Sequence, residues 1–136
     1  MSKFDVLTKY VPMIQADIIG KWVLDKENDG TPERPIQMAF VNYSETVRNF
    51  INDVYTFEEN NKDMELTRYS DILKENGLEW DMESMGNADV SNMNAQSVLA
   101  LIMSAVRAER FCDGALLDFF TSGSMLKWLE RLKSFE

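Results

Sequence analysis

The sequence predicts a mainly α-helical fold: a compact bundle of about five helices around a central helix, with a small β-hairpin. Apolar residues recur at helical spacing over most of the chain, and the longest such segment runs from Asn94 to Phe120. Two short strand-like runs flank a turn-rich segment, as in a hairpin. With 136 residues, 45% of them hydrophobic, the chain is long enough to form a single globular domain over residues 1–136.

The N-terminal part predicts one interrupted helix followed by the hairpin. Ser2 is placed to cap the first helix, and Pro12 predicts a break near Tyr10–Val11, because proline lacks the N–H that a helix interior needs. The β-branched run 18–24 and the alternating run 36–40 predict the two strands of the hairpin. The segment between them is rich in Asn, Asp, Gly and Pro.

Three further elements are predicted before the central segment. Ser44 is placed to cap an amphipathic helix that ends near residues 60–63. A shorter helix follows, and Gly77 is expected to end it in the left-handed conformation. Residues 78–93 are expected to form a polar loop held by Trp80, whose ring would pack on the core. After the central segment, a Ser-Gly-Ser turn predicts the start of a last helix.

The charge distribution limits the classes of partner. The net charge is −9, and all of it comes from residues 1–94, which carry nine Lys and Arg against eighteen Asp and Glu. Nucleic acid is therefore not an expected partner, since binding it requires a basic surface. An acidic surface favours a basic protein partner, or serves solubility. No apolar run approaches the length of a membrane span and no secretory leader is recognisable, so we expect a cytoplasmic protein.

The composition also removes several chemistries. The chain has no histidine and one cysteine, which excludes histidine-based nucleophile activation, histidine-ligated metals and iron–sulfur clusters. We expect no cofactor and no metal site, and Cys112 should be a small buried apolar residue. Whether the protein is an enzyme stays open. The groups that remain for catalysis are carboxylate, Arg, Lys, Tyr and hydroxyl, so an enzyme would be carboxylate-based or bind a hard cation such as Mg²⁺.

The candidate site residues are Arg107, Glu109, Arg110 and Asp113. If the segment from Asn94 to Phe120 is treated as one helix, Glu109 projects between Ala105 and Cys112 on the apolar face, and Asp113 lies close to the same face. Polar residues on the opposite face are Ser104, Arg107, Arg110 and Asp118. A carboxylate on a buried face needs a cationic or hydrogen-bonding partner, or it becomes protonated.

Three interpretations of Glu109 stay open. In the first, Gly114 and the Cys112–Asp113 pair break the helix, Asp113 caps a new helix, and helical phase no longer applies past Phe111. In the second, Glu109 forms a buried structural ion pair with an arginine of another element, such as Arg48 or Arg34. In the third, Glu109 and its charged neighbours line a polar pocket, since perturbed carboxylates often mark functional sites.

The same region carries a resemblance to a known family. The residues that carry the resemblance are Arg107, Phe111, the string A-E-R-F-C-x-G at residues 108–114 and the closing string L-K-W-L-E-R-L at residues 126–132. In these residues the chain resembles a family of small, mostly helical bacterial proteins of unknown function. The similarity extends over nearly the whole chain, including Trp22 and the Asp29–Gly30 turn. The resemblance implies a cytosolic bacterial protein and supplies no catalytic residues.

Two functions follow as hypotheses. The first is a non-enzymatic cytosolic binding or protein-interaction domain, with a basic protein partner or a homodimer. An exposed apolar patch, involving Trp22 or Trp128, would favour it. The alternative is a small-molecule-binding or Mg²⁺-dependent hydrolytic site around Arg107–Asp113. A cleft lined by Glu109 and an arginine would favour this alternative.

Overall fold

The predicted fold class is confirmed in the computed structural model, which describes residues 4–16, 20–23, 40–112 and 114–135. Its helices are α1 (Asp5–Thr8), α2 (Tyr10–Ala16), α3 (Glu45–Asn60), α4 (Tyr69–Glu75), α5 (Met82–Gly86), α6 (Ala95–Glu109), α7 (Ala115–Thr121) and α8 (Ser124–Lys133). Strands β1 (Gly20–Val23) and β2 (Phe40–Tyr43) form an antiparallel pair, and 3-10 turns span Lys62–Met64 and Leu66–Arg68. The described residues thus divide into more and shorter helices than the sequence predicts.

The break in the first helix falls at Lys9, one residue before the predicted position. Pro12 is the third residue of α2. It is tolerated there because N–H groups in the first turn of a helix have no partner within that helix. The chain therefore divides before the proline. The predicted cap, Ser2, lies outside the described residues.

Tyr43 is the last residue of β2, and α3 begins two residues later. Gly20 lies opposite Tyr43 and Val23 opposite Phe40. Residues 36–39 of the predicted second strand lie outside the described residues. Ser44 follows Tyr43 directly, and its hydroxyl oxygen accepts a hydrogen bond from the N–H of Val47 at 3.4 Å, as the capping prediction requires.

Helix α6 is the central helix of the bundle. It is capped by Asn94, whose side chain accepts from the N–H of Ser97 at 2.8 Å. Every residue from Ser97 to Val106 is buried, because α3, α4, α7 and α8 all contact this helix. The predicted solvated position of Ser104 is therefore wrong. Its hydroxyl is satisfied within the helix by donating to the carbonyl of Ala100 at 2.6 Å.

The predicted loop 78–93 contains a helix. Gly77, at φ +75°, ends the preceding helix α4 as expected. Asp81 then accepts a hydrogen bond from the N–H of Ser84 at 2.7 Å and begins α5. Helical periodicity gives no signal for α5, since one turn is too short to show it.

The C-terminal helices cover one side of α6. Helix α6 ends at Glu109 and α7 starts at Ala115, so the segment from Asn94 to Phe120 is not one continuous helix. Trp128 of α8 is fully buried, which removes it from the candidates for an exposed apolar patch. The side chain of Trp22, the other candidate, lies outside the described part of the protein. No helix in the described ranges has both the length and the apolar character that crossing a bilayer requires.

Candidate functional site

Glu109, the last residue of α6, caps the start of α7. Its two carboxylate oxygens each accept from the N–H of Gly114 at 3.1 Å, and one of them also accepts from the N–H of Leu116 at 3.0 Å. The first N–H groups of a helix have no partner within that helix, and the helix dipole favours a negative charge beside them. The structure therefore agrees with the interpretation in which the helix breaks near Gly114. Asp113 lies outside the described residues.

The hydroxyl of Tyr43 completes this arrangement. It donates to a carboxylate oxygen of Glu109 at 2.6 Å and accepts from the N–H of Leu117 at 2.9 Å. Burial, followed by the hydrogen bond to the Glu109 carboxylate, raises the pKa of Tyr43 above its ordinary value. The phenol thus stays neutral and keeps donating, and it ties β2 to the α6–α7 junction.

The proposed ion pair between Glu109 and Arg48 does not form. The guanidinium of Arg48 donates instead to the side-chain oxygen of Asn42 at 3.0 Å. Arg34, the other candidate, is outside the described residues. Within the described part of the chain, the hydrogen-bond donors that satisfy Glu109 are backbone N–H groups and a phenol.

A cleft of about 440 Å³ opens beside this junction, and we call it the Tyr43 cleft. It is lined by Val41, Tyr43, Ile51, Tyr55, Val106, Glu109 and Arg110. Arg110 is exposed, whereas the half-buried guanidinium of Arg107 lies 5.3 Å from the ring centre of Tyr55. The Nε atom of Arg107 has no hydrogen-bond partner among the described residues. Of the four candidates, Glu109 and Arg110 thus share a cleft.

A second cavity, which the sequence did not predict, lies on the outer side of the same junction. This Trp80–Phe111 groove has a volume of about 360 Å³. It is lined by Trp80, Asp81, Met82, Met85, Ala108, Phe111, Cys112, Ala115 and Phe119. Phe111 is 79% exposed, Trp80 40% and Met82 37%. Three large apolar side chains therefore stand at the surface around one mostly apolar groove.

Trp80 is held in place at the surface. Its indole N–H donates to the backbone carbonyl of Ser104 at 3.1 Å. Its ring meets those of Tyr69 and Phe111 edge to face, at centroid distances of 5.3 Å and 5.9 Å. Trp80 thus packs onto the outside of the core, against Tyr69, while 40% of it stays exposed. The side chain is anchored to α6 and forms one wall of the groove.

Cys112 is exposed, contrary to the prediction that it is buried. The prediction placed it on a continuous helix, but α6 ends at Glu109, so helical phase no longer determines where later side chains point. The sequence signal for the groove was the helix-breaking Gly114, shortly after an aromatic residue. Among the described residues, no group of three or more Cys, Asp and Glu side chains is placed to hold a metal ion.

Comparison with known proteins identifies the family. No curated protein and no solved structure matches the chain. A protein-family model, whose description reads "Family of unknown function (DUF6508)", matches residues 1–136. That range includes the α6–α7 junction, the Tyr43 cleft and the Trp80–Phe111 groove. The chain therefore belongs to the DUF6508 family of unknown function.

Proposed function

We propose that this protein is a non-enzymatic interaction domain that binds a partner protein through the Trp80–Phe111 groove. The exposure of Phe111, at 79%, carries the proposal. Contiguous apolar surface at a groove is typical of interaction sites, and Trp, Phe and Met are enriched at the centres of interfaces. Scattered single apolar residues, such as Val6 and Met13 elsewhere on the surface, have no such meaning.

The groove is already organised for binding. Trp80 is fixed by its hydrogen bond to Ser104 and by two aromatic neighbours, so little side-chain freedom is lost when a partner docks. Aromatic side chains that become buried when a partner binds commonly contribute most of the binding free energy of an interface.

The state of Glu109 supports a non-enzymatic role. Its carboxylate already accepts hydrogen bonds from Gly114, Leu116 and Tyr43. A general base needs a free acceptor within reach of the proton it removes. The Glu109 carboxylate therefore has a structural role, the capping of α7.

A different, basic protein fits the groove better than a second copy of this chain. Each copy carries a net charge of −9, so two copies meeting at this surface would repel each other. A cytoplasmic, bacterial setting is part of the same proposal. It is supported by the family resemblance and by the single cysteine, which suits a reducing compartment.

The test is affinity capture from a lysate of the source cells, with bound proteins quantified by mass spectrometry. Wild type and Phe111→Ser are compared with Met13→Ser, a matched control that removes a 44% exposed apolar side chain from α2. We expect one or a few proteins captured by wild type and Met13→Ser and lost with Phe111→Ser. Identical capture by all three chains would overturn the proposal, as would no specific capture by any of them.

The Tyr43 cleft supports a second candidate function, the binding of a small molecule. The observation in its favour is a cleft lined by Glu109 and an arginine, the exposed Arg110, as this hypothesis requires. An arginine at the mouth of a cleft suits an anionic ligand. Screening small carboxylates and phosphates by thermal shift tests it. A shift that Arg110→Ala abolishes and Arg48→Ala leaves intact would favour this candidate, and the absence of any shift would remove it.

A further inference from the structure

The Trp80–Phe111 groove continues into a second, polar cleft. This Glu83–Asp118 cleft has a volume of about 390 Å³. It is lined by Met82, Glu83, Gly86, Asn87, Asp118, Phe119, Ser122 and Ser124. Met82 and Phe119 line both cavities. The two cavities are therefore neighbours, and a single ligand can occupy both.

The side chains that line the second cleft include two carboxylates and no Lys or Arg. Lys127, close to Asp89, donates to the carbonyl of Ala88 at 3.1 Å and does not line the cleft. Glu83 and Asp118 are both exposed, and neither forms an ion pair within the described residues. Residues 75–93, which supply one side of both cavities, contain five Asp and Glu and no Lys or Arg. A cation in this cleft would find carboxylate, amide and hydroxyl oxygens without displacing an internal partner.

We propose that the two cavities together bind one polypeptide segment, with a bulky apolar side chain in the groove and a neighbouring Lys or Arg in the Glu83–Asp118 cleft. This inference rests on the proposed function and specifies its partner class. A volume of about 360 Å³ accommodates one or two large side chains. Apolar contact supplies affinity, and the carboxylates select a basic segment.

Other classes of partner fit this surface less well. A nucleic acid or an anionic membrane would bring phosphate groups against Glu83, Asp118 and the nearby Asp81, and like charges at an interface oppose binding. A free metal ion would leave the apolar groove unused. A basic peptide segment uses both cavities, and charge complementarity then determines which segment binds.

The experiment is selection of randomised 12-residue peptides displayed on phage. The baits are wild type, Phe111→Ser, the double variant Glu83→Lys/Asp118→Lys, and Glu59→Lys, a control that reverses an exposed charge on α3. We expect wild type and Glu59→Lys to enrich peptides in which Trp, Phe, Leu or Met stands near Lys or Arg. The double variant should retain the apolar preference and lose the basic one, and Phe111→Ser should enrich no common peptide.

Binding constants then measure the effect. For one enriched peptide labelled with fluorescein, the Kd should be at least about tenfold weaker with Glu83→Lys/Asp118→Lys than with wild type. The neutral pair Glu83→Gln/Asp118→Asn should give a smaller loss, and it replaces the charge-reversed pair if melting curves show that the latter is unfolded.

The outcomes separate the two proposals. Enriched peptides without Lys or Arg, or a basic preference that survives in the Glu83 and Asp118 variants, would overturn the inference and leave the groove as an interaction site. Enrichment of the same peptides by Phe111→Ser, or no enrichment by wild type, would overturn the proposed function as well.

Discussion

Glu109 is a charged residue at a position where helical periodicity predicts an apolar one. The turn that follows it explains why a carboxylate is stable there. The helix ends at this residue and the chain turns, so the carboxylate meets the N–H groups that start the next helix. A carboxylate that accepts several hydrogen bonds has no need of a cationic partner. One side chain thus joins two helices and, through Tyr43, the strand β2.

We predict that Glu109→Ala lowers the free energy of unfolding by about 2–3 kcal/mol, because it leaves partly buried donors without an acceptor. Glu109→Gln should cost less, since its amide oxygen still accepts from the N–H groups. Urea denaturation measures both variants. A loss within error for Glu109→Ala would mean that water satisfies these donors and that the cap contributes nothing.

The raised pKa of Tyr43 makes stability depend on alkaline pH. A phenol whose pKa is higher in the folded state favours folding while it is neutral. Its contribution is complete below the ordinary pKa of 10.0 and is lost as pH rises above that value. Burial and Asp53 raise the pKa of Tyr10 in the same direction. We expect the free energy of unfolding to fall as pH rises from about 10 to about 11.5, and to fall less steeply in Tyr10→Phe/Tyr43→Phe. Parallel curves for the two proteins would contradict this assignment.

At the scale of elements, the junction between α6 and α7 determines which surfaces the protein presents. Gly114, at φ +93°, lets the chain reverse without a Cβ clash and bring its N–H to Glu109. Phe111 lies in the same turn, two residues after the end of α6, and its ring is exposed at the groove. One turn therefore contains both the donor that Glu109 caps and the exposed aromatic residue.

We predict that Gly114→Ala destabilises the protein by about 1–2 kcal/mol, because a Cβ is strained in the left-handed region. Gly86→Ala is the matched control: its φ is not positive, and a Cβ there would meet no foreign atom closer than Ser124 Oγ at 3.8 Å. That substitution should be neutral or stabilising by up to about 1 kcal/mol. Thermal melts measure both. Equal effects of the two substitutions would show that the turn does not need glycine.

At the scale of the whole molecule, one acidic segment of the chain also supplies part of the exposed apolar groove. Residues 75–93 hold five of the acidic side chains and also supply Trp80 and Met82 to the groove. A basic partner would be drawn to this segment by long-range attraction before apolar contact holds it there.

This arrangement predicts a salt dependence with two parts. Raising NaCl from about 50 to about 500 mM should weaken the binding of a basic, aromatic peptide several-fold, because exposed charges are screened. The remaining affinity should be insensitive to further salt and should depend on Phe111, since apolar contact is not screened. Fluorescence anisotropy with wild type and Phe111→Ser measures both parts. Binding that salt does not change would argue against a role for the carboxylates.

The helical class, the central position of α6 and several helix ends could all be predicted from the order of residues along the chain. Ser44 and Gly77 act where capping rules place them, and the buried face of α3 follows helical spacing. These features are local or periodic, so neighbouring residues are enough to determine them. Composition alone gives two further limits: the charge of −9 limits the classes of partner, and the lack of histidine limits the available chemistry.

The partner of Glu109 and the surface formed by Trp80 and Phe111 depend instead on the tertiary structure. Tyr43 is distant from Glu109 along the chain, and Trp80 is distant from Ser104, yet each pair is joined by a hydrogen bond. Such contacts depend on how helices pack, which propensity and periodicity do not encode. Phe111 lies in the turn that follows α6, and Trp80 and Met82 reach the same groove from a distant part of the chain. Only the packing of that turn against residues 80–85 brings these apolar side chains together, because local sequence does not determine which distant segments meet.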